Sequence, residues 1–267
     1  MSKNKTISLK DKRIINNCFK YCKKIKPILE DENKKINDLS FGQLTLLFLS
    51  YKAFKTFKSI LLLIQRNEIE DSLILMRSLF EVLIDVEYIS TNPEELGKLF
   101  VEYEKVAKYK HMKCISEYKQ ALLKSSEDLM KAEIGYNSVK NNYNNDKSWS
   151  GLNLKAKAER VNKTKNYGSS EDLLQEYDYI YRTLSYFSHP SPRSTFLYYS
   201  HYDKESGIDR EFWLNFILDK SLWYLIKIIR ELDNLLNGKI KQRLGEFEHT
   251  FFAYNEGQKT KINFDNP

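Results

Sequence analysis

The chain has 267 residues, a formal net charge of +7, 42% hydrophobic and 30% charged residues, with only nine glycines and five prolines. A chain of this length buries a sizeable core without disulfide or metal staples, and so few breakers argue against a strand-rich fold. The positive charge suits a polyanion such as RNA, but the lysines are interleaved with acids throughout, so charge alone does not select a nucleic acid as partner.

Beyond residues 1–8, the pattern predicts a first helix from Leu9 to Glu30, with Ile15, Cys18, Phe19, Cys22, Ile25 and Leu29 on one face. Ser40 and Gln43 form a capping pair ahead of a second helix from about Phe41 to Gln65. A third helix, from about Glu68 to Ser90, is apolar on most sides and belongs at the centre of a bundle. Asn92-Pro93-Glu94-Glu95 starts a long fourth helix that is expected to reach Met130 or beyond, its polar second half projecting as an arm.

Asn141–Ser150 reads as a loop, followed by Trp149 and a short helix over Leu154–Val161, then a second loop over 162–168. Ser169-Ser-Glu-Asp172 reads as a capping box opening a sixth helix to about Ser188, stopped by Pro190 and Pro192. The conformation of 195–202 is left open. Asp209 caps a last long helix to Asn237 with Gly238 as its C-cap, and an aromatic tail (239–267) is expected to pack back on the bundle.

The expected fold is therefore all-α: a helical bundle of about six to eight helices with a long fourth helix, a C-terminal helix and a tail. It is expected to be a single domain over 1–267, with its core at about 41–237 and the stretch 120–168 as a protruding arm with loops. The cysteines show no C-x-x-C spacing and read as small buried apolar residues. The longest apolar run, Ile60–Ile64, is far too short to span a bilayer, and the N-terminus lacks an apolar export segment; a cytoplasmic protein is expected.

Two constellations stand out. On the third helix Arg77, Glu81 and Asp85 recur every four residues among large apolar neighbours. Charges so placed are either a structural ion pair or the polar lining of a pocket. On the sixth helix Arg182 and His189 are seven residues apart, about 20° short of two full turns, and therefore point the same way. Asp178 and Ser185 are expected on that face; Tyr177, Ile180, Tyr181, Leu184 and Phe187 form the core stripe.

An arginine beside a histidine is a minimal pair for metal-free RNA cleavage. Histidine can take the 2′-OH proton or protonate the leaving oxygen. Arginine holds the phosphate as charge builds in the transition state. A single histidine lacks a second acid–base group, which a second protomer across a two-fold axis could supply.

The Arg182–His189 spacing, late in a helical bundle, resembles the motif of the HEPN superfamily (higher eukaryotes and prokaryotes nucleotide-binding). That resemblance implies a dimeric, metal-independent endoribonuclease of the toxin or antiphage kind. A second resemblance covers roughly residues 45–195 and is to an uncharacterised bacterial helical family. It rests on Arg77-Ser78-Leu-Phe-Glu81, on Trp149 ahead of Ala158-Glu159, and on Tyr181-x-x-x-Ser185-x-x-x-His189. It implies that Arg77, Glu81 and His189 meet in one pocket, and supplies no activity.

Other chemistries recede. Glu246-Phe-Glu-His249 is a lone E-x-x-H where a di-metal bundle needs two plus further carboxylates. The four histidines show no zinc spacing, and there is no Gly-rich phosphate loop or nucleophile elbow. His201, beside Tyr198 and Tyr199, reads as a surface histidine that could join the site.

The leading expectation is an endoribonuclease with His189 as general acid/base and Arg182 as phosphate clamp. Arg77, Glu81, Tyr181 and Ser185 would bind or orient substrate, with no metal and no cofactor. RNA, a second copy of the chain and a protein partner such as an antitoxin are the expected partners, and no membrane is. The competing expectation is a non-catalytic helical module that binds a protein or a small anion.

Overall fold

The computed structural model describes residues 9–118, 126–143, 148–166, 172–189 and 210–244, with Pro192 and Thr195. The sequence expectations for Tyr198, Tyr199, His201, Asp209, Ser169 and the tail beyond Leu244 lie outside the described residues. Among those described, every regular element is helical and no helix is long and apolar enough to cross a membrane. The fold is an all-α bundle.

Its helices are α1 (Leu9–Asn33), α2 (Phe41–Gln65), α3 (Ile69–Ile89), α4 (Pro93–Tyr118), α5 (Ser126–Asn137), α6 (Leu154–Lys165), α7 (Leu173–Glu176), α8 (Arg182–Ser188), α9 (Arg210–Leu235) and α10 (Lys239–Leu244). A π-helical turn, Tyr177–Tyr181, joins α7 to α8. Helices α2, α3 and α9 pack on one another and form the centre. Around them, α1 and α4 lie on α2, while α6 and α8 lie on α3. Leu46, Phe57, Leu61, Phe80, Leu83, Tyr224 and Ile228 are sealed from solvent where the central helices meet. This is what the apolar circumference of α3 requires.

The local signals act as their chemistry demands. Gln43 N–H donates to Ser40 Oγ at 3.3 Å and Ser40 N–H donates to Gln43 Oε1 at 3.2 Å, closing the capping box of α2. Pro93 takes the first position of α4, where its missing N–H costs nothing. After α9, Gly238 at φ +77° donates its N–H to Asp233 O at 3.0 Å, so the chain stops and turns into α10. Asp233 Oδ1 then accepts from Ile240 N–H at 2.7 Å.

Three expectations change. The fourth helix does not run on as a straight arm to Met130: α4 is described as far as Tyr118, and α5 packs back along it. Tyr109 and Tyr136 stack at 4.6 Å, and Val106 and Ala132 are buried between the two helices, so folding back covers apolar surface that a straight arm would expose. Part of the stretch expected to protrude is in the core. Helix α6 runs on to Lys165, past the expected loop start, with Ala158 and Val161 fully buried and Asn166 (φ 49°) closing it. Cys18 and Cys22 are buried, as small apolar residues should be, but Cys114 is exposed on α4.

Candidate functional site

Helix α3 carries the polar seam, and its four-residue period fixes which neighbour each charge meets. Arg77 and Glu81 face the π turn and α8, while Asp85, a turn further on, faces α6. Lys157 Nζ sits 2.6 Å from Asp85 Oδ1 and 4.6 Å from the ring centroid of Trp149. Trp149 packs edge-on to Phe100 and tilted to Tyr88, which holds the start of α6 against α3 and α4. The predicted aromatic ahead of the short helix is thus its anchor.

The opposite partner is built by the π turn. Asp172 caps α7 by accepting from Leu174 and Gln175 N–H groups at 2.9 and 3.0 Å, and those bonds hold its carboxyl below its ordinary pKa. Glu176 accepts from Tyr224 at 2.9 Å and pairs with Lys220, tying α7 to α9. The π turn then inserts a wider ring of backbone, with Arg182 N–H donating to Tyr177 O. Residues four apart are brought nearly over one another there, and Tyr177 and Tyr181 stack at 5.0 Å.

That stacking aims Tyr181 at α3. Arg77 Nη2 donates to Tyr181 Oη at 2.6 Å, and Tyr181 Oη donates to Glu81 Oε1 at 2.9 Å. Arg77 Nη2 also pairs with Glu81 Oε1 at 3.3 Å, and Arg77 Nη1 donates to Ser188 Oγ at 3.1 Å. The guanidinium lies 4.7 Å from the Tyr181 ring centroid. Burial raises the Tyr181 hydroxyl's pKa, and Glu81 adds to the rise while the Arg77 hydrogen bond opposes it. The phenol therefore stays neutral and serves as donor and acceptor at once.

Tyr181 and Ser188, seven residues apart, form the inner wall of this clasp. Arg182 and His189 repeat the same spacing one residue later, which on an α-helix is a rotation of about 100°. The inner pair reaches Arg77 and the outer pair is exposed. His189 sits at the helix end with φ −122° and ψ 137°, the extended backbone that a following proline imposes.

Of the site residues expected from sequence, the fold brings Arg77, Glu81 and Tyr181 into direct contact. Ser185 Oγ donates back to Tyr181 O at 2.8 Å, bracing the clasp from within its own helix. Arg182 and His189 share an exposed ridge beside the clasp rather than lying in it. Asp178 lies 3.8 Å from Lys155 of α6.

Several participants had no sequence signal strong enough to find them. Ser188 is a common serine near a helix end, and its role appears only once α8 is placed on α3. Glu87 is sealed in the core, paired with Lys165 at 2.5 Å and with Lys227 at 3.8 Å, while Lys165 also meets Glu231 at 2.8 Å. Its visible cue was a glutamate within an apolar run, on a face other than that of Arg77. Among the described residues, no three His, Cys, Asp or Glu side chains are grouped to hold a metal ion.

A family model for proteins of unknown function, DUF5677, matches residues 43–207. The chain belongs to this family. The DUF5677 region takes in α2 through α8, and with them Arg77, Glu81, Tyr181, Arg182, Ser188 and His189. No curated protein and no solved structure matches the chain.

Proposed function

We propose that this DUF5677 protein is a metal-independent endoribonuclease of the HEPN-like kind that works as a homodimer, in a toxin or antiphage setting in the cytoplasm. The observation that carries the reading is the exposure of Arg182 and His189 on one ridge of α8, braced from behind by the Arg77–Tyr181–Glu81–Ser188 clasp. His189 takes the proton from a ribose 2′-OH. The 2′-oxygen then attacks phosphorus, the P–O5′ bond breaks, and the leaving oxygen is protonated by an imidazolium. Arg182 neutralises the charge gathering on the phosphoryl oxygens. The products are a 2′,3′-cyclic phosphate and a 5′-hydroxyl, and DNA, lacking the nucleophile, is not cut.

About 10 Å of helix axis separates the Cα atoms of residues 182 and 189. One phosphate is met by both groups most directly if the arginine of one copy faces the histidine of another. A two-fold arrangement gives each dimer two such sites, and in each the imidazolium formed on His189 returns its proton to the leaving oxygen.

The test is cleavage of a single-stranded RNA in EDTA. His189→Ala and Arg182→Ala should each lower the rate by about 100-fold or more. Equal rates for wild type and both variants would overturn the reading. A second reading, a non-catalytic helical module, draws support from the clasp itself: both terminal nitrogens of Arg77 are satisfied internally, as in a structural ion pair. Under that reading a nuclease-free preparation shows no cleavage and retains a protein or small-anion partner.

A further inference from the structure

The exposed residues of the α7–π–α8 rod form a pattern that neither the arginine–histidine motif nor the clasp accounts for. From Asp172 to His189 the exposed positions are Gln175, Tyr179, Arg182, Tyr186 and His189, spaced by four, three, four and three residues. Two of these are tyrosines, Tyr179 at 70% and Tyr186 at 43% exposure. None is acidic. The two acids of the rod near this ridge are neutralised sideways, Glu176 by Lys220 and Asp178 by Lys155. Arg182 has no carboxylate partner among the described residues. The ridge therefore presents aromatic, cationic, aromatic and imidazole groups in order on a chain of net charge +7.

We infer that this ridge is a base-stacking track for single-stranded RNA, with Tyr179 and Tyr186 holding bases on either side of the phosphate that Arg182 clamps. The inference rests on the ribonuclease reading for its substrate class. Alternating aromatic rings and cations are what an unpaired strand needs: every base has a π-face to stack, and every linkage a charge to neutralise. The two rings start about 10 Å apart along the axis, close to three steps of a stacked strand advancing about 3.4 Å per nucleotide. A duplex keeps its bases stacked inside and offers such rings nothing. Tyr179 lies in the π turn and Tyr186 in α8, so the turn that aims Tyr181 inward also sets which side chains alternate outward.

The experiment measures anisotropy of a labelled, uncleavable 2′-O-methyl oligoribonucleotide against Tyr179→Ala, Tyr186→Ala and the two Phe variants, with cleavage of the ordinary RNA in parallel. Each alanine should weaken binding about tenfold, each phenylalanine should bind like wild type, and a duplex of the same sequence should bind more weakly. Unchanged affinity in the alanine variants overturns the track. So does equal loss in the phenylalanine variants, or a preference for duplex. If the alanine variants change only the mass measured by light scattering, the ridge is a contact between copies and the inference falls. Cleavage by wild type with unchanged affinity in the variants removes the track alone. Weakened binding without any wild-type cleavage keeps the track and removes the ribonuclease.

Discussion

Arg77 and Tyr181 come from elements 104 residues apart and meet twice, through a 2.6 Å hydrogen bond and through the guanidinium placed 4.7 Å from the ring centroid. The contact joins α3 to the π turn, and Glu81 closes it by accepting from the same hydroxyl. Tyr181→Phe keeps the ring and removes the bridge, so urea unfolding should show a loss of about 1–2 kcal/mol. Arg77→Ala, which strands a half-buried hydroxyl and carboxylate, should cost about 2–3 kcal/mol. The double variant should fall short of the sum by about 1 kcal/mol. Strict additivity would mean the two groups are neighbours without being coupled.

Glu87 is the most deeply buried charge among the described residues. It is fully buried on α3 and faces Lys165 of α6 and Lys227 of α9, so it locks two helices to the central one. Glu87→Gln removes the carboxylate that Lys165 and Lys227 share, leaving Lys165 its second partner Glu231, and should destabilise by about 2–4 kcal/mol. Replacing Glu87 and Lys227 together by apolar residues of similar volume, with the Lys165–Glu231 pair kept, should restore part of that loss, because the desolvation of two buried charges is then avoided. Denaturant midpoints at constant slope measure both outcomes.

Gly42 and Gly97 show a different constraint, close approach rather than backbone freedom. A Cβ on Gly97 would stand 2.9 Å from Phe41 O and 3.0 Å from Gly42 Cα, and one on Gly42 would stand 2.7 Å from Pro93 Cβ. The contacts are with backbone and a rigid ring, so the α2–α4 junction must open to admit them. Gly97→Ala should therefore destabilise by about 1–3 kcal/mol, although alanine is the better helix former by about 1 kcal/mol. A gain in thermal midpoint would show that the junction yields easily.

The thiols should separate by reactivity. Burial pushes Cys18 and Cys22 up to about 12, so neither holds appreciable thiolate near neutrality, and both are sealed from reagent. Cys114 is exposed. One equivalent of thiol should react with an aromatic disulfide reagent at pH 8 in the folded protein, and all three only after unfolding. Cys114→Ser should abolish the fast phase.

Helix boundaries and the central place of α3 were legible because they depend on local chemistry: the Ser40–Gln43 box, Pro93, Gly238 and an apolar circumference are all written in contiguous residues. The Arg77–Glu81 seam was legible as a period, but the resemblance joined it to His189, whereas the fold joins it to Tyr181 and Ser188 and leaves His189 exposed beside them. What was not legible arose from non-local or non-ideal geometry. The return of α5 onto α4 depends on Tyr109 meeting Tyr136, 27 residues further along the chain. The π turn adds one residue to a ring of backbone, with Arg182 N–H donating to Tyr177 O, and the helical period of the sequence does not announce it. Glu87 looked like any acid within an apolar helix until Lys165 and Lys227 were brought to it from two other helices.

The sharpest test of the proposed chemistry uses the separation of Arg182 and His189. If one copy supplies the arginine and another the histidine, a dimer of one Arg182→Ala chain and one His189→Ala chain contains one intact site and one doubly broken site. Random exchange makes about half of all dimers mixed, so two inactive preparations should regain about a quarter of wild-type activity when combined. The recovered rate should rise with mixing time as subunits exchange, and size-exclusion chromatography should show the same dimer throughout. A site contained within one chain gives no recovery at any time, because every copy then lacks one member of its own pair.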